Sequence, residues 1–384
     1  MWQKLFPILF FVGGVIFDMI TLDRIDSAFA IFSQLTYLSL ATVLMLSFFW
    51  HRDPEEPSPR PQQPGESPLE ASQSVTSLSL ASPVQFKDYI SISAFKQRVS
   101  AIRPLALHFC FGSLLSAYTI FYFKSASLVV SFFFLLSMVV LLLANEVSHF
   151  RKLGVDIKFG LLSLCWLSYS AYMIPILVGS IGAWVFAISL AVGVVPMGLI
   201  ALILKLKAQP AGLIRKQVLI PAGVVMGLFL FLYVMRWIPP VPLSIQYMGV
   251  FHHISKEGDE YHLSHERPWW RFWHRGDQWF VAQSGDQIHV FFRLFSPTGF
   301  KDQVQMHWEF RDPQAGWQTT DRIPISVMGG REEGFRGFGR KSNYQPGRWR
   351  VRLLSADQRE IGRIGFRVTQ TEAETQRQWR TEVH

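Results

Sequence analysis

Cysteine is nearly absent from this sequence, which has two cysteines in 384 residues. Both of them, Cys110 and Cys165, lie inside apolar runs. A disulfide framework or a zinc site built from thiolates needs more cysteines at closer spacing, so both kinds of site are excluded.

Charged residues are also scarce, at 17% of the chain, and the mean hydropathy is positive. This composition is too apolar for an ordinary soluble protein. Residues 1–239 hold 17 of the 37 Lys and Arg and 11 of the 28 Asp and Glu, so they carry +6 of the net +9. Because most of these charges lie between apolar runs, they indicate membrane topology and not a nucleic-acid partner.

The common catalytic and cofactor motifs are missing. The sequence has no Gly-x-Ser-x-Gly elbow, Walker loop, HExxH zinc motif or Rossmann glycine run. A histidine group comes nearest to a metal pattern, and its members are His252, His253, His262 and His265. Since no cysteine accompanies these histidines and zinc-site spacings are more specific, we predict no metal site. We likewise predict no enzyme activity, no catalytic residue and no cofactor.

The sequence is rich in apolar runs of about twenty residues, the length that a helix needs to cross a bilayer. The runs are residues 5–22, 28–50, 105–123, 126–144, 159–178, 183–204 and 218–238. They predict a membrane α-helical bundle of seven transmembrane helices. A second run follows the first almost at once, which favours an uncleaved hairpin over a signal peptide.

Lys and Arg are distributed unequally between the two sides of this predicted bundle. Fourteen fall on one side, and only Arg24, Lys124 and Arg236 fall on the other. Because cytoplasmic segments are enriched in Lys and Arg, the count predicts a cytoplasmic N-terminus and a C-terminal domain outside.

Four regions follow from these patterns. Residues 1–50 form the first two transmembrane helices. Residues 51–103 form a cytoplasmic Pro-rich linker and an amphipathic helix, the latter from near-helical apolar spacing in residues 84–103. Residues 104–239 form a five-helix transmembrane region, and residues 240–384 form a periplasmic β domain.

Asp18 is the one acidic residue inside the predicted spans. Its place near the end of the first run favours a shallow acid at the interface, which such positions tolerate. The alternative is a proton or substrate site at the outer mouth of the bundle, formed with Arg24 and Asp26.

The C-terminal region shows the two-residue alternation of β-strands. In residues 303–310, apolar and polar residues alternate, and residues 287–295 form an apolar strand before a Ser-Pro-Thr-Gly turn. Six to eight short strands separated by turns predict an all-β, antiparallel sandwich of immunoglobulin-like type.

The last predicted hairpin places five arginines on one sheet face, opposite the apolar residues that face the core. They are Arg348, Arg350, Arg352, Arg363 and Arg367. This face could bind anionic lipid headgroups, a polyanionic glycan or the acidic loop at Asp23 and Asp26. The favoured interpretation is a solvated face that is neutralised by nearby carboxylates.

An aromatic segment precedes these strands and contains Trp269, Trp270 and Trp273. Three interpretations compete: it fills the core, it enters the membrane interface, or it stacks on sugar rings. A shared role in the core and at the interface is favoured, because tryptophans in small β domains are usually buried.

Two segments resemble a known family. The strand MHWEF, Met306 to Phe310, and the hairpin PGRWRVRLLSADQREIGRIGFRV, residues 346–368, resemble bacterial multi-span membrane proteins that end in the domain of unknown function 2914. Residues 17–27, FDMITLDRIDS, are similar to the first-span exit of such proteins. The resemblance implies a bacterial inner-membrane protein without an assigned activity. The motif positions are His307, Trp308, Gly347, Trp349 and Phe366.

We therefore predict an inner-membrane protein that presents a periplasmic β-sandwich as a binding or scaffolding module. Its expected partners are the lipid bilayer and, through the β domain, anionic headgroups, an envelope glycan or another envelope protein. The alternative is a transporter or envelope sensor with a site at the outer mouth around Asp18 and Arg24.

Overall fold

The computed structural model describes residues 25–50, 83–146, 154–331, 333–371 and 377–384, together with Ile16, Asp18 and Ile20. The side chains of Trp50, of residues 83–101 and of Glu146 lie outside the description. Six helices in this part of the chain are long and apolar enough to cross a membrane. They are α1 (Ala28–Trp50), α2 (Pro83–Lys124), α3 (Leu128–Glu146), α4 (Val155–Val178), α5 (Ala183–Leu206) and α6 (Ala211–Val234).

The described chain thus has six such helices where the sequence predicted seven. The first predicted run, residues 5–22, lies mainly outside the described residues, although Ile16, Asp18 and Ile20 are helical. The last run was placed wrongly, because α6 begins at Ala211 and contains a π-helical turn, Arg215–Leu219. The pattern of apolar residues does not reveal such a turn. It marks the apolar part of a helix and misses a first turn that contains polar residues.

The amphipathic segment predicted for residues 84–103 is not a separate helix. It is the first half of α2, which continues through Pro104 to Lys124. Proline removes a single backbone donor, and neighbouring helices can compensate for that loss in an apolar bundle.

Helices α2 and α4 form the centre of the bundle. Their most apolar windows are 67% and 61% buried, against 22–33% for the other four helices. The outer helices carry large exposed apolar side chains, including Leu228, Leu230 and Phe231 on α6. A helix that is apolar on its exposed face as well as its packed face suits a lipid environment.

Eleven strands follow in the described part of residues 244–384. They are β1 (Ser244–Phe251), β2 (His253–Glu257), β3 (Glu260–His265), β4 (Trp279–Ala282), β5 (Ile288–Phe295), β6 (Lys301–Asp312), β7 (Gly316–Met328), β8 (Phe335–Lys341), β9 (Gly347–Leu354), β10 (Glu360–Gln370) and β11 (Arg380–Val383). Sheet 1 has the order β1-β5-β8, sheet 2 the order β4-β10-β9-β6-β7, and sheet 3 the order β11-β3-β2.

Sheets 1 and 2 enclose the main core of the β domain. Phe292 and Leu294 from sheet 1 pack in one cluster with Trp308 and Val351 from sheet 2, and all four are fully buried. Alternate residues along each strand point inward, so the predicted pattern of the last hairpin is confirmed. Its inward residues Trp349, Val351, Leu353, Ile364, Phe366 and Val368 are all buried.

Two features of the sandwich differ from the prediction. The described strands number eleven, not six to eight, and β4 pairs with β10 in parallel, with Trp279 opposite Arg367. Alternation predicts which face a residue occupies but not the direction of its partner strand. Sheet 3 packs outside sheet 1, where Leu263 meets Phe251 and Phe291 in a small second core.

Candidate functional site

The β domain meets the bundle through the ends of its strands. The Lys301 N–H at the start of β6 donates to the Gly179 carbonyl at 2.9 Å. The Ile181 N–H donates to Asp302 Oδ2 at 3.0 Å. At the start of β10, Glu360 Oε1 accepts from the Ser127 hydroxyl at 2.5 Å. Because β6 and β10 both begin at the helices, the strands of sheet 2 run along their length away from the bundle.

Arg359 is the most buried cation of this junction, with a side chain only 6% exposed. Its Nε lies 2.9 Å from Asp357 Oδ2, and its Nη1 donates to the Ile238 carbonyl at 3.2 Å. Its guanidinium carbon lies 3.4 Å from the ring centroid of Tyr233. The Tyr233 hydroxyl in turn donates to Asp357 Oδ2 at 3.1 Å. The β9–β10 turn is therefore clamped to α6 by a charge, a ring and two hydrogen bonds.

The five predicted arginines share one face of sheet 2, and buried carboxylates bind three of them. Glu309 accepts hydrogen bonds from Arg350 and from Arg352, whose Nε lies 2.9 Å from Oε1. Glu360 accepts from Arg363 Nη2 at 2.6 Å and lies 3.6 Å from Arg352. Three of the five arginines therefore have a buried carboxylate as partner.

Arg348 and Arg367 lie opposite each other at the far end of the hairpin and are exposed. Neither makes an ion pair with a described residue. The acidic loop proposed as a partner of the arginine face makes a different contact, because Asp26 Oδ2 accepts from the Thr298 N–H at 3.4 Å. Asp23 lies outside the described residues.

The pKa of Glu309 depends on its arginine partners. Burial raises the pKa of its carboxyl, but hydrogen bonds from Arg350 and Arg352 outweigh it and hold the pKa below the usual value. The carboxylate side chain is 3% exposed, while the two arginine side chains are 19% and 25% exposed. The acid is thus the buried member of the network, and its charge depends on both partners.

The aromatic segment is not part of the core, so the favoured interpretation was wrong in that respect. Trp269 is 76% exposed and Trp273 is 58% exposed. We define the aromatic surface as Trp269, Trp270, Phe272, Trp273 and Trp279, all of which are exposed. Three of these rings contact one another, with 6.3 Å between the centroids of Trp270 and Trp273 and 5.1 Å between those of Phe272 and Trp273. The sequence could not reveal this, since a loop tryptophan has no periodic pattern that tells its inner from its outer face.

The loop that carries the aromatic surface is firmly anchored. The Asp277 N–H donates to the Val250 carbonyl at 2.7 Å, and Gln278 Nε2 donates to the Gly365 carbonyl at 2.9 Å. Arg271 lies over two of the exposed rings, at 4.5 Å from the centroid of Trp270 and 4.3 Å from that of Trp279. Exposed rings on an anchored loop are a preformed contact surface.

The aromatic surface lies away from the bundle. Trp279 pairs with Arg367, seven residues along β10 from Glu360. At a rise of about 3.3 Å per residue, this separation is about 23 Å. The headgroup region of a bilayer extends only about 5–8 Å beyond the hydrocarbon, so a location in the interface of the same membrane is disfavoured.

The four histidines do not form a metal site in the part of the chain that the structure describes, where no cluster of three or more candidate ligands occurs. His252 is buried, stacks on Phe280 with ring centroids 3.9 Å apart, and has Nδ1 2.8 Å from Asp277 Oδ2. His265 Nε2 lies 3.2 Å from Glu382 Oε1. His253 and His262 lie on the neighbouring strands β2 and β3.

Two of the five motif positions of the resemblance, Gly347 and Trp349, pack against Phe310. Gly347 has φ +142°, and a Cβ there would lie 2.7 Å from the ring of Phe310. Trp349 packs on Phe310 with ring centroids 5.1 Å apart, and its indole N–H donates to the Gln345 carbonyl. Only glycine combines that backbone with that close approach, so its place before the tryptophan is structural.

The remaining motif positions lie on sheet 2 as well. Trp308 is fully buried, and its ring meets that of Phe366 edge to face at 6.3 Å. His307 is 4% exposed and shares a hydrogen bond with Gln305. Burial lowers the pKa of His307, and the nearby Arg322 and Arg352 lower it further.

The outer-mouth residues of the transporter alternative are only partly described. Asp18 is half-buried close to the Ser116 hydroxyl, whereas Arg24 lies outside the described residues. Within the described chain, the buried Gln34 Nε2, Tyr118 hydroxyl and Ser163 hydroxyl of the bundle lack hydrogen-bond partners. Their positions are compatible with a transport path and with a passively packed bundle alike.

The sequence analysis missed a pair of arginines beside a large cavity. Arg293 on β5 and Arg336 on β8 are cross-strand partners, and both face a cavity of about 1280 Å³ between sheet 1 and the helices. The sequence feature that could have revealed them is Arg293 inside the otherwise apolar strand HVFFRLF. Burying a charged side chain costs free energy unless the charge has a partner.

The comparisons with known proteins concern the β domain first. Residues 301–368 match the family model described as Protein of unknown function (DUF2914). This segment runs from β6 into β10 and includes all five motif positions. None of the curated proteins matches the chain.

Several solved structures match at low similarity. An immunoglobulin-like protein from Pseudomonas aeruginosa is 11% identical, over 34% of this chain and 98% of that chain, with a TM-score of 0.21. A β-glucosidase from Listeria innocua is 11% identical, over 25% of this chain and 15% of the enzyme, with a TM-score of 0.20. An alkylpurine DNA glycosylase from Pseudomonas fluorescens is 12% identical, over 90% of this chain and 99% of that chain, with a TM-score of 0.21. At these scores none of the three carries an argument about function.

Proposed function

We propose that this chain is a bacterial inner-membrane protein that holds an immunoglobulin-like β domain in the periplasm as a binding module. The observation that carries the proposal is the exposed aromatic surface on an anchored loop about 23 Å along β10 from the bundle. The contacts of Arg359 with Asp357, the Ile238 carbonyl and the Tyr233 ring attach the β domain to the helices. The aromatic surface therefore lies at a fixed distance from the membrane. Such an arrangement suits a protein that holds an envelope component at a distance from the bilayer.

The location rests on charge distribution. Fourteen Lys and Arg fall on one side of the helices and three on the other, with the β domain on the poorer side. We expect a reporter enzyme that is active only in the periplasm to be active when fused after His384, because positively charged segments stay cytoplasmic. A cytosol-only reporter at the same site is expected to be inactive. The opposite result would place the β domain in the cytoplasm.

We propose an anionic envelope glycan as the ligand of the aromatic surface. Exposed indole faces stack on the apolar faces of sugar rings, and Arg271 adds a cation for acidic substituents. The position along β10 disfavours insertion into the bilayer, and the exposure of Trp269 and Trp273 excludes a core role. Of the three interpretations of this segment, stacking on sugars is the one that the geometry favours.

The test is co-sedimentation of the full chain, in lipid nanodiscs, with purified peptidoglycan sacculi. We expect Trp270→Ala combined with Trp273→Ala to weaken binding at least about tenfold, since each lost stacking contact is worth on the order of 1 kcal/mol. Trp317→Ala is the matched control, because Trp317 begins β7 at the opposite edge of sheet 2.

Two results would count against the glycan. If the double variant sediments as well as the unmodified chain, the aromatic surface is not the contact. If the unmodified chain fails to sediment at all, the ligand belongs to another class, such as an envelope protein.

A further inference from the structure

A cavity of about 1280 Å³ lies between sheet 1 and the bundle. One wall is formed by Ile25, just before α1, and by Phe121 and Lys124 at the end of α2. The opposite wall is formed by Phe295 and its neighbours on sheet 1. Because the helix ends lie where a bilayer would end, the cavity opens at the level of lipid headgroups.

Two arginines of sheet 1 line this cavity side by side. Arg293 and Arg336 are directly opposite each other in the β5–β8 register, and both Nε atoms are buried without a hydrogen-bond partner. The Arg293 guanidinium makes no hydrogen bond or ion pair with any described residue. Arg336 lies 3.6 Å from Glu333, whose side chain is 69% exposed, and its guanidinium carbon is 5.8 Å from the ring centroid of Tyr261.

Two adjacent guanidinium groups with unused buried donors require an acceptor. A buried donor without a partner destabilises the fold, and a charged donor does so more strongly. A phosphodiester offers two anionic oxygens and matches the planar fork of arginine. The Arg350–Arg352 pair of sheet 2 obtains its acceptor from Glu309, whereas no described carboxylate lies between Arg293 and Arg336.

We propose that Arg293 and Arg336 bind the phosphodiester of a phospholipid headgroup that enters the cavity from the adjoining leaflet. Ile25, Phe121 and Phe295 also line the cavity, and their side chains are themselves buried in the core of the bundle. The cavity lies beside the ends of helices that are long and apolar enough to span a membrane, where lipid headgroups would lie, which favours a lipid as the source of the phosphate.

The rim of the cavity indicates which headgroup fits. Asp259 and Glu260 at the β2–β3 turn line the cavity and are exposed. Their carboxylates add negative charge to the same cavity that holds the arginine pair, and a zwitterionic headgroup carries both a phosphate and an ammonium group. An amine-bearing phospholipid is therefore the expected ligand, ahead of a purely anionic one.

The experiment is native mass spectrometry of the detergent-solubilised full chain with phosphatidylethanolamine and with phosphatidylglycerol. We expect retained phosphatidylethanolamine on the unmodified chain. Arg293→Gln combined with Arg336→Gln should weaken retention at least about tenfold, because two charge-assisted contacts are lost. Arg340→Gln is the matched control, since it removes the same charge from an exposed position on the same strand, β8.

Two further measurements identify the headgroup and the source of the phosphate. Asp259→Asn combined with Glu260→Gln should remove the preference for the amine lipid and leave binding of phosphatidylglycerol unchanged, and it does not touch the arginines. Millimolar inorganic phosphate should fail to displace the lipid.

The proposal is overturned if the double arginine variant retains lipid like the Arg340→Gln control. It is also overturned if inorganic phosphate displaces the lipid, which would define a free-phosphate site. A double arginine-to-lysine variant guards against misfolding, because it keeps the charges and is expected to retain weakened binding. This site is separate from the aromatic surface, so either proposal can fail while the other stands.

Discussion

Glu309→Ala is expected to lower the free energy of unfolding of the β domain by about 3 kcal/mol, the lower end of the range for breaking a buried ion pair. The carboxylate is 3% exposed and binds two arginines, and its removal leaves Arg350 without a carboxylate and Arg352 with only Glu360 at 3.6 Å. The lower end applies because both arginine side chains keep some contact with water. The measurement is denaturant or thermal unfolding of the full chain, followed by tryptophan fluorescence.

The control for this variant is Glu257→Ala. Glu257 is 73% exposed and lies 3.6 Å from His262, so its removal should cost less than about 0.5 kcal/mol. Equal stability of the two variants would mean that the Glu309 network is energetically neutral, as some buried ion pairs are.

The same carboxylate predicts a pH dependence. The folded-state pKa of Glu309 lies below the ordinary value of 4.5, so its ionised form stabilises the fold above that pH. This contribution is lost as the pH falls from 4.5 through the lower folded-state pKa. Glu309→Gln removes the titrating carboxyl group. Between pH 4.5 and the folded-state pKa of Glu309, the free energy of unfolding of this variant should therefore change less than that of the unmodified chain.

Arg359→Ala is expected to loosen the β domain from the helices by about 3 kcal/mol, because it leaves Asp357 and the Ile238 carbonyl without their buried cation. The sandwich core is remote from this turn and should persist. Hydrogen exchange of the full chain should therefore accelerate at residues 355–361 and at residues 298–302, which contact the bundle, but not in the strands that hold Trp308 and Val351.

Tyr233→Phe gives a graded comparison for the clamp. It keeps the ring under Arg359 and loses only the hydroxyl bond to Asp357, so the expected cost is about 1 kcal/mol. Arg380→Ala, an exposed arginine on β11, should leave exchange unchanged at both segments. If Arg359→Ala behaves like Arg380→Ala, the junction is held by its other contacts, such as those of Glu360 and Asp302.

Sequence patterns predicted the elements of this protein well where one face had to be apolar. Five of the six described helices lie close to the predicted runs, and α1 coincides with residues 28–50. The inward residues of the β9–β10 hairpin were assigned correctly, because burial imposes a period of two on a strand. Gly347 was assigned as a motif position, and its backbone angle and contact with Phe310 now give the physical reason.

Patterns failed where the outcome depended on partners distant in sequence. The parallel pairing of β4 with β10, the exposure of the aromatic surface and the use of Glu309 as acceptor for two arginines all depend on chain segments far apart. The pairing of Arg293 with Arg336 beside a cavity is of the same kind, since only the β5–β8 register brings them together.

The sequence by itself determined that the chain divides into apolar helices and a β domain, because the length of an apolar run and the alternation along a strand are local consequences of burial. The unequal placement of Lys and Arg is likewise local information. Which charges are neutralised and which rings stay exposed was decided only by the tertiary structure. A side chain's partner is set by which strands and helices meet, and that depends on packing across the whole molecule.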